Sequence, residues 1–221
     1  MQQHASRVVL DSIRSMMDRG GAVGDDGPEA AQLAVELYRM LARGVPVTAV
    51  ALARRLSMKP ERCRATLEGI RASAIDYDDT GGIVGFAGLS LAPTAHRFRL
   101  AGHNDLYTWC TFDAFFLPQV LDRAAVLETT CATTRVPIVV ELSPSGDVAT
   151  TPASAVMSMV APDLDAFAED LRGAFCQYVR LFCDVAAFET WAADRPDVAM
   201  LTPHEAAELA RARNRRRYPF L

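Results

Sequence analysis

A thiol and a carboxyl group three positions apart, Cys110 and Asp113, stand in the middle of the apolar segment LYTWCTFDAFFLP at residues 106 to 118. Residues three, four and seven apart share a helix face, so a helix over 105 to about 121 would align Leu106, Cys110, Asp113 and Leu117. Trp109, Phe112 and Phe116 make its other faces apolar. An aspartate in such a setting loses water, which raises its pKa unless a cation or several donors compensate, and the segment holds no Lys or Arg. A carboxyl group poised to hold or release a proton, beside a thiol that can lose one, is equipped for acid and base chemistry.

The remaining thiols narrow the chemistry. Five cysteines, Cys63, Cys110, Cys131, Cys176 and Cys183, have no disulfide-scaffold spacing. There is no CxxC pair and no HxxxH, and His96, His103 and His204 lie far from the cysteines along the chain, which speaks against zinc. No histidine is placed by a local motif to activate Cys110 as a nucleophile. GGAVGDDGP lacks the Lys and Ser/Thr of a phosphate loop and does not follow a strand. What remains is thiols plus one carboxyl group in apolar surroundings. Soft thiolates prefer soft metals, and two of them without a third strong ligand suit a two-coordinate ion such as Hg(II) or Cu(I). A buried cysteine is more often a small hydrophobe, and only the pairing with Asp113 sets Cys110 apart.

These groups need a scaffold, and the composition supplies one. The chain has 221 residues, of which 50% are hydrophobic and 23% charged, as expected of a soluble globular protein with a substantial core. A net charge of -4 gives no general attraction to nucleic acid or acidic membranes. No apolar run approaches the roughly 20 residues of a membrane helix, and the N-terminus does not look like a secretory signal. A cytoplasmic location with reduced thiols is the expectation.

Periodicity predicts helices over 8 to 18 and 28 to 43, then two short helices in PVTAVALARRLSMKPERCRATLEGI around a turn at Ser57 to Lys59. AIDYDDTGGIVGFAGLSL reads as a hairpin turning at Asp79 to Gly82. Helix, turn, helix and hairpin suggest a winged-helix-like module at residues 1 to 82, followed by a second domain at 83 to 221. Between residues 46 and 79, six basic residues face five acidic ones, too even a balance for tracking phosphates. VLETTC, VPIVVELSP and AVMSMVAP read as strands, with Asp163 capping a helix over DLDAFAEDLRGAF. FCQYVRLFC alternates, which as a strand would turn Cys176 and Cys183 to opposite sides. In TPHEAAELARARNRRRY, Thr202, Pro203 and Glu205 open a helix with a capping box, and its arginine cluster (Arg211, Arg213, Arg215, Arg216, Arg217) reads as a solvated helix end. The fold class is α+β: the helical module, then short, mostly antiparallel strands with flanking helices.

LYTWCTFDAFFLP, TTCATTRVPIVVELSPSG and GAFCQYVRLFC, three cysteine-centred segments in this order, resemble the organomercurial (alkylmercury) lyases of mercury resistance. PVTAVALARRL, DDTGGIVGFAGLSL and TPHEA are similar too, and the likeness runs over about residues 28 to 215. The resemblance implies cofactor-free protonolysis of a carbon–mercury bond to a hydrocarbon and Hg(II). It puts the catalytic set on Cys110, Asp113 and Cys176, with the two thiolates and Asp113 around the product Hg(II). It also implies release of that ion to free small thiols or a mercuric reductase, and a packing role for Cys131. It assigns the N-terminal module no DNA. Some members carry a cysteine where this chain has Gln177, and residues before Pro28 and the Arg-rich end match poorly. A protein that only binds or sequesters soft metal is the alternative, and the aspartate argues against it because binding alone needs no proton donor.

Overall fold

In the computed structural model the described residues are Asp11, Ile13, 27–102, 105–160 and 163–221. The helix expected over 8 to 18 lies outside them except for Asp11 and Ile13, and His103 lies outside them altogether.

Helix α1 (Gly27–Leu41) buries Leu33, Leu37, Tyr38 and Leu41, an i, i+4, i+5, i+8 stripe facing the core. Two short helices follow as expected. α2 (Ala49–Arg55) starts at Thr48, whose side chain accepts from the Ala51 N–H, and α3 (Pro60–Glu68) carries proline in its first turn, where no N–H is missed. Arg55 reaches Glu36 of α1 at 2.7 Å, and Arg62 pairs with Glu29. A 3-10 turn at Ala72–Ala74 leads into β1 (Ile75–Tyr77) and β2 (Ile83–Phe86). The hairpin turn between them is held by Asp78 Oδ1, which accepts from the N–H groups of Thr80 (2.9 Å) and Gly82 (2.8 Å).

The chain continues through β3 (Leu89–Ser90), β4 (Arg97–Leu100), β5 (Leu106–Thr108), α4 (Asp113–Leu121), β6 (Ala125–Thr130), β7 (Pro137–Leu142) and β8 (Val148–Thr151). These strands, with the hairpin, make an eight-stranded sheet in the order β1-β2-β3-β5-β4-β6-β7-β8, antiparallel at each pairing. After β9 (Val156–Val160) come α5 (Leu164–Glu169), α6 (Leu171–Ala174), a 3-10 turn at Cys176–Tyr178, β10 (Leu181–Phe182), α7 (Val185–Ala192), β11 (Val198–Leu201) and α8 (Pro203–Arg217). β9 is the centre of a second, three-stranded antiparallel sheet, β10-β9-β11. The mixed, antiparallel α+β architecture is therefore as expected. One hydrophobic cluster joins the first helices, both sheets and α4. α4 packs against α1 and α8, and Asn214 of α8 donates to the Phe116 carbonyl at 2.9 Å and to Gln119 at 3.0 Å.

Two local expectations fail. LYTWCTFDAFFLP is not one helix. Leu106–Thr108 is β5, held between β3 and β4, and the Trp109 N–H then donates to the Gly88 carbonyl at 2.9 Å, so the backbone leaves the sheet before it can coil. The helix begins only at Asp113. FCQYVRLFC is not a continuous strand either. Its first residues spend their backbone N–H groups locally, Tyr178 to the Phe175 carbonyl at 3.0 Å and Val179 to the Cys176 carbonyl at 3.3 Å, and only Leu181–Phe182 joins a ladder. The helix capped by Asp163 is present but breaks at Asp170, which caps a second short helix by accepting from the Gly173 N–H at 2.9 Å.

Candidate active site

Cys110 occupies the bend between β5 and α4, and Asp113 is the first residue of that helix. The Asp113 carboxylate reaches back three residues, and the Cys110 N–H donates to its Oδ2 at 2.8 Å. This hydrogen bond pins the bend that carries the thiol. Cys176 comes from the 3-10 turn after α6. The two segments are tied by Thr111, whose hydroxyl donates to the Val179 carbonyl at 3.2 Å. The outcome is a cluster in which the Cys110 and Cys176 sulfurs and an Asp113 carboxylate oxygen lie within 4.8 Å of one another. All three residues are buried.

Gly88 makes room for the carboxyl group. Its φ of +110° belongs to glycine, and a Cβ there would lie 2.5 Å from Asp113 Cγ. The turn holding Gly88 is fixed from behind by Tyr38 of α1, which donates to the Ala87 carbonyl at 2.9 Å. Around the site, Phe112 and Phe116 are buried, and their rings meet edge-on 6.3 Å apart. Trp109 is half-buried, with the Arg172 guanidinium 3.9 Å over its ring, and Arg172 also pairs with Asp76.

Burial dominates the electrostatics. It pushes the Asp113 carboxyl up to about 6, against the pull of the Cys110 N–H and thiol and the more distant Arg213 and Arg172 cations. Burial, then the Cys176 thiol and the Asp113 charge, push the Cys110 thiol well above its ordinary range. At neutral pH the resting site thus pairs a protonated Cys110 thiol with an aspartate close to its own midpoint, able to take up a proton and to give one back.

Arg213 corrects the expectation of a uniformly solvated arginine cluster. It is half-buried, with its guanidinium 3.7 Å over the Phe116 ring, while Arg215 and Arg216 are exposed. Neither Gly88 nor Arg213 stood out in the sequence. The signal for Gly88 was its place in the tight FAGL turn between two short strands. Arg213 had none, because its partner Phe116 is remote along the chain.

The other candidates fall elsewhere. His96 is buried, its Nδ1 2.9 Å from the Thr129 hydroxyl, with its pKa lowered to about 4 by burial and then by Arg180. His204 pairs with Glu208 on the surface at 3.5 Å. Cys63 is a core residue between the first helices. Cys131 and Cys183 lie next to each other at Thr134.

Two thiols and a carboxyl group gathered in an apolar site on an antiparallel α+β fold are a donor set suited to a soft metal, with a group beside them able to take up a proton. The chain matches the family described as alkylmercury lyase over residues 89–213. It is 31% identical over 202 residues to the alkylmercury lyase of Bacillus cereus, covering 91% of this chain and 89% of that one. It is 34% identical over 175 residues to that of Streptomyces lividans, covering 79% and 78%. The crystal structure of the mercury-bound form of MerB2 is similar in fold, with a TM-score of 0.73 over 86% of this chain and 92% of that chain, at 23% identity. The chain belongs to the alkylmercury lyase family.

Proposed function

We propose that the chain cleaves the carbon–mercury bond of alkyl- and arylmercury compounds by protonolysis, with Cys110 and Cys176 as the mercury-binding thiolates and Asp113 as the proton shuttle. The observation that carries this is the shared burial of two thiols and one carboxyl group within 4.8 Å. One thiol gives up its proton, which leaves with the substrate's exchangeable ligand, and its sulfur takes that ligand's place on mercury. The second thiol then binds, its proton passing to Asp113. That transfer runs uphill from the more basic thiol, and the mercury–sulfur bond being formed drives it. Two soft donors push electron density toward the carbon, and Asp113 delivers the proton there. An organomercurial plus two thiols becomes a hydrocarbon, Hg(II) bound by two sulfurs, and the protonated leaving ligand. The balance calls for no redox cofactor. Free small thiols or a mercuric reductase then take the ion, in keeping with a thiol-rich cytoplasm.

The test is incubation with phenylmercury and excess small thiol, following benzene by gas chromatography. Repeated turnovers, abolished in Asp113→Ala and in Cys110→Ser or Cys176→Ser, are expected. Tight mercury binding with no benzene would replace this reading by soft-metal sequestration.

For the first 82 residues we keep the winged-helix-like module as an organisational proposal, packed on a catalytic part at 83 to 221. The ion pairs of Arg55 with Glu36 and of Arg62 with Glu29 neutralise two of its basic residues internally, which supports packing over nucleic-acid binding. Among the described residues, no helix is long and apolar enough to cross a membrane.

A further inference from the structure

We infer that Cys131 and Cys183 form a second dithiol site, separate from the Cys110 cluster, that captures a soft two-coordinate metal ion of the Hg(II) type. The turn after β6 carries Cys131, whose N–H donates to the Val136 carbonyl at 2.8 Å while its carbonyl accepts from the Arg135 N–H at 3.0 Å. The Ala132 N–H donates to the Leu181 carbonyl at 3.0 Å, which fastens this turn to β10. Two residues beyond Leu181, Cys183 is thereby brought against Thr134. That threonine touches both sulfurs: its N–H donates to Cys131 Sγ at 3.4 Å, and its hydroxyl lies 3.4 Å from Cys183 Sγ. The Ser154 hydroxyl holds the Cys183 carbonyl at 2.7 Å.

Cys131 is fully buried at the edge of the core, beneath a turn whose residues 133 to 136 are exposed, and Cys183 beside it is half-exposed. Burial works to raise the Cys131 thiol, yet donors from Thr134, Cys183 and Thr133 hold it at about 7. The Cys183 thiol, although helped by Thr134, is raised overall by partial burial and by its neighbour Cys131. Near neutral pH Cys131 is thus the more readily ionised thiol of the pair. The thiolate displaces one ligand from a mercury bis-thiolate, and the second thiol displaces the other, giving up its proton to the departing thiolate. Two protein–sulfur bonds replace two small-molecule ones, and no oxidant is required.

Ligand number decides the metal. Among the described residues, the one group of three or more His, Cys, Asp or Glu side chains close enough to share an ion is Cys110, Asp113 and Cys176. The Cys131 pair lacks the third and fourth ligands that tetrahedral zinc takes, which leaves an ion content with linear coordination by two sulfurs. This inference is independent of whether the chain cleaves carbon–mercury bonds.

The experiment saturates the full chain with Hg(II), washes it with EDTA in the absence of free thiol to strip singly bound ions, and counts retained mercury by native mass spectrometry. Chelation by two sulfurs resists that wash, because release of one leaves the other holding the ion at high local concentration. The wild-type chain is expected to retain two ions and Cys183→Ser one. The Cys110→Ser, Cys176→Ser double variant is expected to retain one, lost when Cys183→Ser is added. Equal retention in wild type and Cys183→Ser, or none in the double variant, would overturn the site. Benzene release from phenylmercury, measured on Cys183→Ser in parallel, is expected to match wild type, so failure of cleavage and failure of the second site are read separately.

Discussion

The carboxylate of Asp113 accepts from the backbone N–H of Cys110 at 2.8 Å, so the group proposed to carry the proton also holds the segment that presents the thiol. Its burial comes at a cost in stability. An acid whose folded pKa lies above its unfolded value weakens the fold wherever it is ionised. Below pH about 4 both states are protonated and nothing is lost; the penalty grows as the pH rises from about 4 to about 6 and is constant above. A rise from 3.8 to about 6, at about 1.36 kcal/mol per unit, amounts to roughly 3 kcal/mol. Asp113→Asn is therefore expected to abolish benzene release while raising thermal stability at pH 7 by up to that amount. The gain should vanish at pH 4. Thermal denaturation across this range checks it, and a variant no more stable at pH 7 than at pH 4, relative to wild type, would count against the burial penalty.

Turnover should follow the same group. Asp113 accepts a proton only when ionised, so kcat/KM for phenylmercury is expected to fall as the pH drops through about 6. Arg213 lowers that midpoint from its position over Phe116. Arg213→Gln should move the acid limb to higher pH by up to about one unit, and Arg213→Lys should restore most of it. A limb that stays put in Arg213→Gln would make Arg213 a packing residue only.

Gly88→Ala tests the space beside the carboxyl group. The new methyl would meet Asp113 Cγ at 2.5 Å, on a backbone with a φ of +110°. Strain and displacement together should cost about 1–3 kcal/mol or more and reduce cleavage at least tenfold. Wild-type rates in this variant would show that Asp113 need not sit against the turn.

Tyr38→Phe reaches the site from a distance. Losing the hydroxyl leaves the buried Ala87 carbonyl without its 2.9 Å donor, a loss of about 1–2 kcal/mol. For a chain of this size the melting temperature should fall by about 2–6 °C, with cleavage reduced less than in Gly88→Ala.

Local signals were legible in the chain. The Thr202 and Glu205 capping box is present, with Thr202 N–H donating to Glu205 at 2.7 Å and Glu205 N–H to Thr202 at 3.2 Å. The cap at Asp163 and the turn at Asp78 to Gly82 are equally local. Cys110 and Asp113 could be paired because they lie three residues apart, although the reason is a bend and not a helical stripe. What failed to show depends on remote partners. Leu106–Thr108 extends because β3 and β4 flank it, and no periodicity in three residues reveals that. Val148–Thr151, Val198–Leu201 and the helix Val185–Ala192 were missed for similar reasons, being short and weakly patterned. Cys176 was named by resemblance alone. Its approach to Cys110 rests on a 3-10 turn and the bond from Thr111 to Val179, neither of which leaves a repeat in the sequence.

The reach of Asp113 back to the Cys110 N–H also ties the reaction to the mechanics of the chain. A charged carboxylate grips a backbone donor about twice as firmly as a neutral acid does. On the proposed mechanism, the bend at Cys110 is held less tightly while Asp113 carries the proton destined for carbon, the stage at which both sulfurs settle around the metal. Delivery of the proton restores the charge and tightens the bend around the new geometry. Chemistry and local stiffness would then alternate on a single hydrogen bond, loosened as the second sulfur binds and drawn taut once the carbon has left.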